Sequence, residues 1–108
     1  MNRISVATVQ AAYQATGLRP SRRVYHNAGG EACALAAVAA ARSFSSTGQD
    51  WRFIALATYL NLPMAYAAGF MDGFDGFRGL SSNNRYAAYF DGYADGRAAA
   101  CQCFPGNP

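Results

Sequence analysis

The chain contains no lysine, a single histidine and three cysteines. An odd number of cysteines in so short a chain argues against a disulfide framework, and one histidine leaves little basis for nucleophilic catalysis. No stretch approaches the roughly 20 apolar residues of a membrane-spanning helix, and the N-terminus has no apolar signal-peptide core. These absences predict a cytoplasmic protein without membrane contact.

Motifs that mark well-known active sites are also absent. The sequence has no phosphate-binding loop, dinucleotide fingerprint, Gly-x-Ser-x-Gly elbow or His-Glu-x-x-His motif. His26 could join Cys33, Cys101 and Cys103 in a zinc site. However, Cys-x-Cys is not the usual spacing of zinc ligands, and the C-terminal tail would have to fold back to bring the four residues together. We therefore expect no catalytic residue, no metal and no cofactor.

Length and composition favour one helical domain. The 108 residues suffice for a single hydrophobic core, and alanine supplies much of the 52% of hydrophobic residues. Alanine is the strongest helix former, and β-branched residues are few. We predict one all-α domain over 1–108 with four or five helices.

The N-terminal part is predicted to form a helix followed by an extended segment. A helix over 4–16 has Gly17 placed to end it. A competing interpretation makes 3–8 a short strand, because Ile4 and Val6 alternate with small residues. The following stretch, 18–27, is rich in arginine and has no helical period, so an extended conformation is expected.

Two further helices are predicted before the C-terminal region. Glu31 is expected to open the second one, which is mostly alanine, runs to about Phe44 and suits a central position. The third ends near Leu60 and is apolar nearly all round, which is typical of a buried helix. Pro63 is well placed as the first residue of the fourth helix.

A seven-residue pattern occurs twice in the C-terminal half. It covers 68–74 and returns over 87–93, with the order small, small, aromatic, large apolar, Asp, Gly, aromatic in both copies. This regularity describes how two helices are built rather than a reaction or ligand. The pattern Gly-aromatic-x-x-Gly-aromatic over 69–74 resembles the glycine-repeat helices of some flagellar export stator proteins, and no function is carried over from it.

On a helical wheel each copy shows a stripe of small residues beside a row of aromatic ones. The small stripes are Gly69, Gly73 and Gly76 in the first copy and Ala88, Gly92 and Ala99 in the second, and the aromatic rows include Phe70, Phe74, Tyr89 and Tyr93. A glycine inside a helix lowers helix stability by about 1 kcal/mol relative to alanine. Because glycine has no side chain, it lets two helix backbones come into contact, and we expect the packing gained in this way to offset that cost. With a short connector between the copies, we predict an antiparallel helical hairpin over 63–100, followed by a tail over 101–108.

The predicted hairpin carries four aspartates, namely Asp72, Asp75, Asp91 and Asp95. Carboxylates spaced along one helix do not converge in a pocket, so solvated acids that meet arginines are expected rather than a catalytic pair. Asp95 differs, because the helical wheel places it on the small stripe, where an acid would lose water. We predict that it accepts hydrogen bonds from backbone amides near 64–65, or pairs with an arginine, and that its pKa is lowered.

The extended segment contains a basic cluster. Arginines next to aromatic residues suit phosphate contact and base stacking, and the cluster consists of Arg19, Arg22, Arg23, Tyr25 and His26. A net charge of +3 is nevertheless modest for a nucleic-acid binder. The leading hypothesis is a non-enzymatic protein-interaction module, such as a small inhibitor or adaptor of the phage or mobile-element type, that binds a protein partner or forms a homodimer. The alternative is nucleic-acid or nucleotide-phosphate binding through Arg19–Tyr25, and the third is a small enzyme that uses a metal or the carboxylates.

Overall fold

The computed structural model describes residues 3–22, 27, 29–44, 53–77 and 86–104. Within these ranges the chain forms α1 (Val6–Thr16), β1 (Arg19–Pro20), β2 (Glu31–Ala32), α2 (Ala34–Ala41), α3 (Phe53–Tyr59), α4 (Met64–Asp75) and α5 (Ala87–Cys103). The predicted all-α class and the upper helix count of five are confirmed. None of the described helices combines the length and the apolar character that crossing a bilayer requires.

The ends of α1 follow the expected capping rules. Ser5 caps the N-terminus, and its side chain accepts a hydrogen bond from the Thr8 amide at 3.1 Å. Gly17 ends the helix with φ of 71°, a left-handed conformation that glycine adopts at little cost, as predicted. The competing strand over 3–8 is not formed, because the capped helix already begins at Val6.

Glu31 lies in a strand rather than at the start of a helix. β1 and β2 pair in parallel, with Arg19 opposite Glu31, so the backbone of Glu31 is extended. The predicted start of the second helix is therefore wrong: Cys33 is the N-cap and α2 begins at Ala34. The helix also ends earlier than Phe44, because Ser43 has φ of 72° and interrupts the helical path.

α2 is the centre of the hydrophobic core, as its alanine content predicts. Its residues from Ala34 to Ala39 are all buried, and the small side chains allow several neighbours to approach. The largest fully buried side chains of the described residues include Leu35 of α2, Leu56 of α3 and three aromatic residues of α4, namely Tyr66, Phe70 and Phe74.

α4 and α5 have ends that differ from the prediction. Pro63 is the N-cap of α4 rather than its first helical residue, which still suits proline because it lacks an N–H. Gly76, predicted on the small stripe, lies after the helix and caps it with φ of 84°. α5 continues to Cys103, so the first residues of the predicted tail are helical.

Four glycines bring the backbones of α4 and α5 into direct contact, which we call the glycine seam: Gly69, Gly73, Gly92 and Gly96. An added Cβ at Gly69 would lie 2.0 Å from the carbonyl oxygen of Tyr89, and one at Gly73 would lie 2.3 Å from that of Tyr93. No real side chain tolerates such distances, so only glycine fits. The predicted close packing through Gly69, Gly73 and Gly92 is confirmed.

The two helices run in the same direction. Gly69 faces Tyr89 and Tyr93, and Gly73, one turn further along α4, faces Tyr93 and Arg97, one turn further along α5. The predicted antiparallel orientation is therefore wrong. The prediction rested on a short connector, but the eleven residues between the helices can span roughly 36 Å when extended. α4 has 12 residues and a length of only about 18 Å.

The repeat that matters for packing has a different register from the predicted one. The pattern Tyr-x-x-Gly-aromatic-x-Asp-Gly occupies 66–73 and again 89–96. In this register the contacts are reciprocal: Gly69 faces the carbonyl of Tyr89, and Gly92 faces the carbonyl of Tyr66. The two helices are thus related by an approximate two-fold arrangement.

In this register three residues that were predicted on the small stripe, namely Ala88, Asp95 and Ala99, do not lie on the glycine seam. Gly96 occupies the place predicted for Asp95, since its Cβ would lie 2.1 Å from the carbonyl oxygen of Phe70. Ala99 belongs to the hydrophobic core and Ala88 packs against that core, so neither continues the glycine seam.

Candidate functional site

The two-fold arrangement creates two matching pairs of polar side chains across the glycine seam. In the first Tyr–Asp pair, the Tyr66 hydroxyl on α4 donates to Asp95 on α5 at 2.5 Å. In the second, the Tyr89 hydroxyl on α5 donates to Asp72 on α4 at 2.6 Å. In each copy the tyrosine precedes the first seam glycine by three residues, and the aspartate follows it by three. The same local sequence therefore builds both pairs.

The first Tyr–Asp pair holds the N-terminal end of the described chain. Arg3 donates two hydrogen bonds to Asp95, from Nε to Oδ2 and from Nη2 to Oδ1, both at 2.9 Å. The amide of the next residue, Ile4, donates to the Tyr66 hydroxyl at 2.8 Å, and the Ile4 side chain is buried. The pair thus binds a guanidinium group and the adjacent backbone N–H together.

The contacts of Asp95 determine its titration. Partial burial raises the pKa of this carboxyl, but the hydrogen bonds from Arg3 and Tyr66 and the charge of Arg3 outweigh burial and lower the pKa below its usual value. Of the two partners predicted for Asp95, the structure supplies the arginine. The pKa of Tyr66 is raised, chiefly by desolvation and then by the hydrogen bond to Asp95.

The second Tyr–Asp pair has no such cation among the residues that the structure describes. Asp72 is half-buried and accepts the Tyr89 hydroxyl, and no described arginine reaches it. Desolvation, followed by the hydrogen bond to Asp72, raises the pKa of Tyr89. Asp72 was predicted to be a solvated acid that meets an arginine; instead it is half-buried and accepts a hydrogen bond from Tyr89 across the seam.

Beside the second pair, α5 exposes apolar side chains to solvent. The exposed residues on the side of α5 that faces away from the core, here called the outer face of α5, are Ala87, Phe90, Ala94, Arg97, Ala98, Cys101 and Gln102. Phe90 is 60% exposed, and its ring meets the Tyr89 ring edge-on with centroids 5.7 Å apart. The outer face is therefore apolar in its first two turns, where it adjoins the second Tyr–Asp pair through the Phe90–Tyr89 ring contact, and it includes the charge of Arg97 further along the helix.

The arginines of the extended segment are engaged within the domain where they are described. Arg19 donates to the carbonyl of Gly29 at 2.6 Å. Arg22 donates to the carbonyl of Phe74 at 3.2 Å, and its guanidinium lies 4.5 Å from the centre of the Phe104 ring. Arg23, Tyr25 and His26 lie outside the described residues.

Replacing Arg22 with alanine is expected to lower the free energy of unfolding by about 1 kcal/mol, because a hydrogen bond to the end of α4 and a cation–π contact are both lost. The matched variant Arg19→Ala should change stability by less than about 0.5 kcal/mol, since its contact is exposed. Urea unfolding at neutral pH measures both. If the two substitutions lowered the free energy of unfolding equally, Arg22 would not be the residue that holds the extended segment against α4.

The remaining candidates for chemistry are placed where they do not form a reactive site. Cys33 is fully buried, and desolvation raises the pKa of its thiol to about 12, so it is not a thiolate at neutral pH. Cys101 is exposed and Cys103 half-buried, and both are free thiols. No group of three or more potential ligands for a metal ion occurs within the described ranges. Asp75, predicted to be solvated, is 7% exposed and is the one buried charged residue there.

No protein-family model, curated protein or solved structure matches this chain. The geometry of the chain itself is therefore the basis for any functional conclusion.

Sequence reasoning found some of these residues and missed others. It singled out Asp95 and the glycines, but it did not pair Tyr66 with Asp95 or Tyr89 with Asp72. The signal was present, because the eight-residue pattern over 66–73 and 89–96 repeats Tyr and Asp as well as Gly. Arg3 could not be found this way, since it is separated from Asp95 by most of the chain.

Proposed function

We propose that the protein is a non-enzymatic protein-interaction module that contacts its partner through the outer face of α5. The observation that carries the proposal is the exposure of Phe90. Phenylalanine side chains are usually buried, whereas Phe90 is 60% exposed in the first turn of α5, with exposed alanines at 87 and 94 on either side of it. Apolar surface of this kind, bordered by polar groups, is typical of protein-binding sites.

The composition of the surface supports a protein rather than a small molecule as partner. Alanines on either side of Phe90 leave a shallow helix face into which a partner helix or strand can pack closely. Aromatic residues are enriched at the energetic centres of interfaces, and Phe90 is the large aromatic side chain of the outer face. The half-exposed Tyr86, which is the N-cap residue of α5, extends the aromatic surface.

The chemistry of the described residues supports a binding role over catalysis. A general acid at neutral pH needs a raised carboxyl pKa, whereas the pKa of Asp95 is lowered by its partners. A nucleophilic cysteine needs a lowered thiol pKa, whereas the pKa values of Cys33 and Cys103 are raised by burial.

Photo-cross-linking tests this function. A benzophenone amino acid at position 90 should form cross-links in source-cell extract to one protein species or to a second copy of the chain. The matched control places the same group at Gln14, which is exposed on α1. Cross-linking at position 90 that never exceeds that at position 14 would contradict the proposal.

The nucleic-acid alternative has weaker support, because Arg19 and Arg22 already donate to backbone carbonyls within the domain. Salt-dependent retention on heparin or DNA separates the two functions. Nucleic-acid binding would give elution that shifts steeply with salt, since each phosphate contact releases counterions. The interaction-module proposal expects only the weak retention that a net charge of +3 gives without specific phosphate contacts.

A further inference from the structure

The outer face of α5 carries an exposed cation as well as an exposed aromatic ring. Arg97 is exposed, and among the residues that the structure describes nothing forms a hydrogen bond, an ion pair or a ring contact with its guanidinium. It follows Phe90 by seven residues, which is almost two helical turns, so the two lie on the same side of α5. They are about 10 Å apart along the helix axis, and these two described residues do not touch each other.

A second copy of α5 brings this cation and this ring together. Phe90 lies four residues before Ala94, and Arg97 lies three residues after it. When two α5 helices run antiparallel and cross at Ala94, the part of one helix before Ala94 lies beside the part of the other after it. Like sides meet in such a two-fold pair. Phe90 of each copy therefore lies beside Arg97 of the other, offset by about 1.5 Å along the helix axis.

We propose that a second copy of this chain binds to the outer face of α5, antiparallel to the first, with the two-fold axis at Ala94. The guanidinium of Arg97 in each copy packs over the Phe90 ring of the other, which gives two equivalent cation–π contacts. The small side chain of Ala94 lets the two helices approach closely at the axis. This inference rests on the proposed interaction function and names its partner.

The charges on α5 favour this orientation over a parallel one. Asp91 lies along the other edge of the outer face from Arg97, and its side chain is about half-exposed. A parallel pair would bring unlike edges together and place the Asp91 carboxylate beside the Phe90 ring, whose face repels an anion. In the antiparallel pair the two Asp91 edges meet each other. Each Asp91 carboxylate keeps Arg3 at 3.8 Å, which offsets their repulsion.

The size of the face sets the expected strength of the dimer. α5 has 17 residues, so its face is about 25 Å long and about 10 Å wide. Two such faces bury less than the roughly 1,200 Å² at which stable complexes begin, so the pairing is expected to be reversible. Sedimentation velocity on the purified full-length chain should therefore show a monomer–dimer equilibrium that shifts with protein concentration.

Two substitutions test the contact without altering the core, because both side chains are exposed. Phe90→Ala and Arg97→Ala should each raise the dissociation constant of the dimer about tenfold or more, since either change removes both equivalent contacts. The matched control is Arg42→Ala, which replaces an exposed arginine at the end of α2 and should leave the dissociation constant unchanged.

Cysteine cross-linking tests the orientation of the two copies. The parent for these samples has Cys101 and Cys103 changed to serine, and its remaining thiol, Cys33, is fully buried. Ala94→Cys places two thiols at the two-fold axis, so mild oxidation should give a disulfide-linked dimer. Ala87→Cys places them about 20 Å apart in the antiparallel pair, which is too far for a disulfide.

Three results would overturn the inference. They are a purified chain that stays monomeric into the millimolar range, equal effects of Arg97→Ala and Arg42→Ala, and cross-linking at position 87 as efficient as at position 94. Failure of the proposed function gives a different result, namely photo-cross-linking at position 90 no greater than at position 14. Cross-linking at position 90 to another protein, with the purified chain monomeric, would retain the interaction module and reject a second copy as its partner.

Discussion

Replacing Gly92 with alanine is expected to lower the free energy of unfolding by about 3 kcal/mol or more. The new Cβ would lie 2.0 Å from the carbonyl oxygen of Tyr66 and 2.8 Å from the amide nitrogen of Phe70. Both atoms belong to the backbone of α4, so a rotamer change cannot remove the clash and the helices must separate. Because small domains are stabilised by only about 5–15 kcal/mol, this is a large fraction of the total. Thermal and urea unfolding measure it.

Gly76→Ala is the matched control. Gly76 has φ of 84° and nothing within 4 Å of an added Cβ, so alanine there costs only the strain of a left-handed conformation, about 1–2 kcal/mol. If Gly92→Ala destabilises the protein no more than Gly76→Ala, close contact between α4 and α5 does not hold the fold together.

Asp95→Asn is expected to lower the free energy of unfolding at pH 7 by about 1–3 kcal/mol, because Arg3 and the Tyr66 hydroxyl lose their charged acceptor. The pKa of Asp95 is lowered in the folded state, so its contribution is fully present above the pKa of the unfolded chain, about 3.9. That contribution is lost as the pH falls through the lower, folded-state pKa. The stability difference between the parent and Asp95→Asn should therefore be largest near neutral pH and shrink in acid.

Asp91→Asn provides the comparison on the same helix. Its carboxylate lies 3.8 Å from Arg3 with both side chains about half exposed, so the loss should be about 0.5 kcal/mol or less. Urea unfolding from pH 7 down to pH 2.5 measures both variants. A difference between the parent and Asp95→Asn that stays constant with pH would contradict the assigned pKa shift.

The parts of the fold that follow local rules were predicted from the sequence. Gly17 ends α1 as its position indicates, and alanine content places α2 at the centre of the core. The glycines of α4 and α5 indicated close packing because their helical cost requires compensation. These inferences depend on residues near one another in the chain.

The parts that failed depend on long-range geometry. Glu31 suits a helix start by charge, but pairing of its backbone with Arg19 decides in favour of a strand. The orientation of α4 and α5 was inferred from connector length, which permits either direction. The predicted repeat aligned 68–74 with 87–93, because these segments match in residue type. The alignment of 66–73 with 89–96, which matches Tyr, Gly and Asp, was missed, and both Tyr–Asp pairs were missed with it.

Arg3 shows the limit of sequence reasoning most clearly. The sequence indicates that Asp95 needs a positively charged or amide partner, but it gives no reason to choose among nine arginines. Tertiary packing brings the N-terminal segment next to α5, and this places Arg3 rather than another arginine beside Asp95.

The parallel orientation of α4 and α5 is the central claim, because both Tyr–Asp pairs and the proposed binding surface depend on it. Spin-label distances test it directly in protein with Cys101 and Cys103 changed to serine. One sample carries labels at positions 64 and 87, at the starts of the two helices, and the other at positions 64 and 102, near opposite ends. Since α5 has 17 residues and a length of about 25 Å, we predict that the 64–102 distance exceeds the 64–87 distance by about 10 Å or more. A shorter 64–102 distance would establish an antiparallel pair and contradict the account.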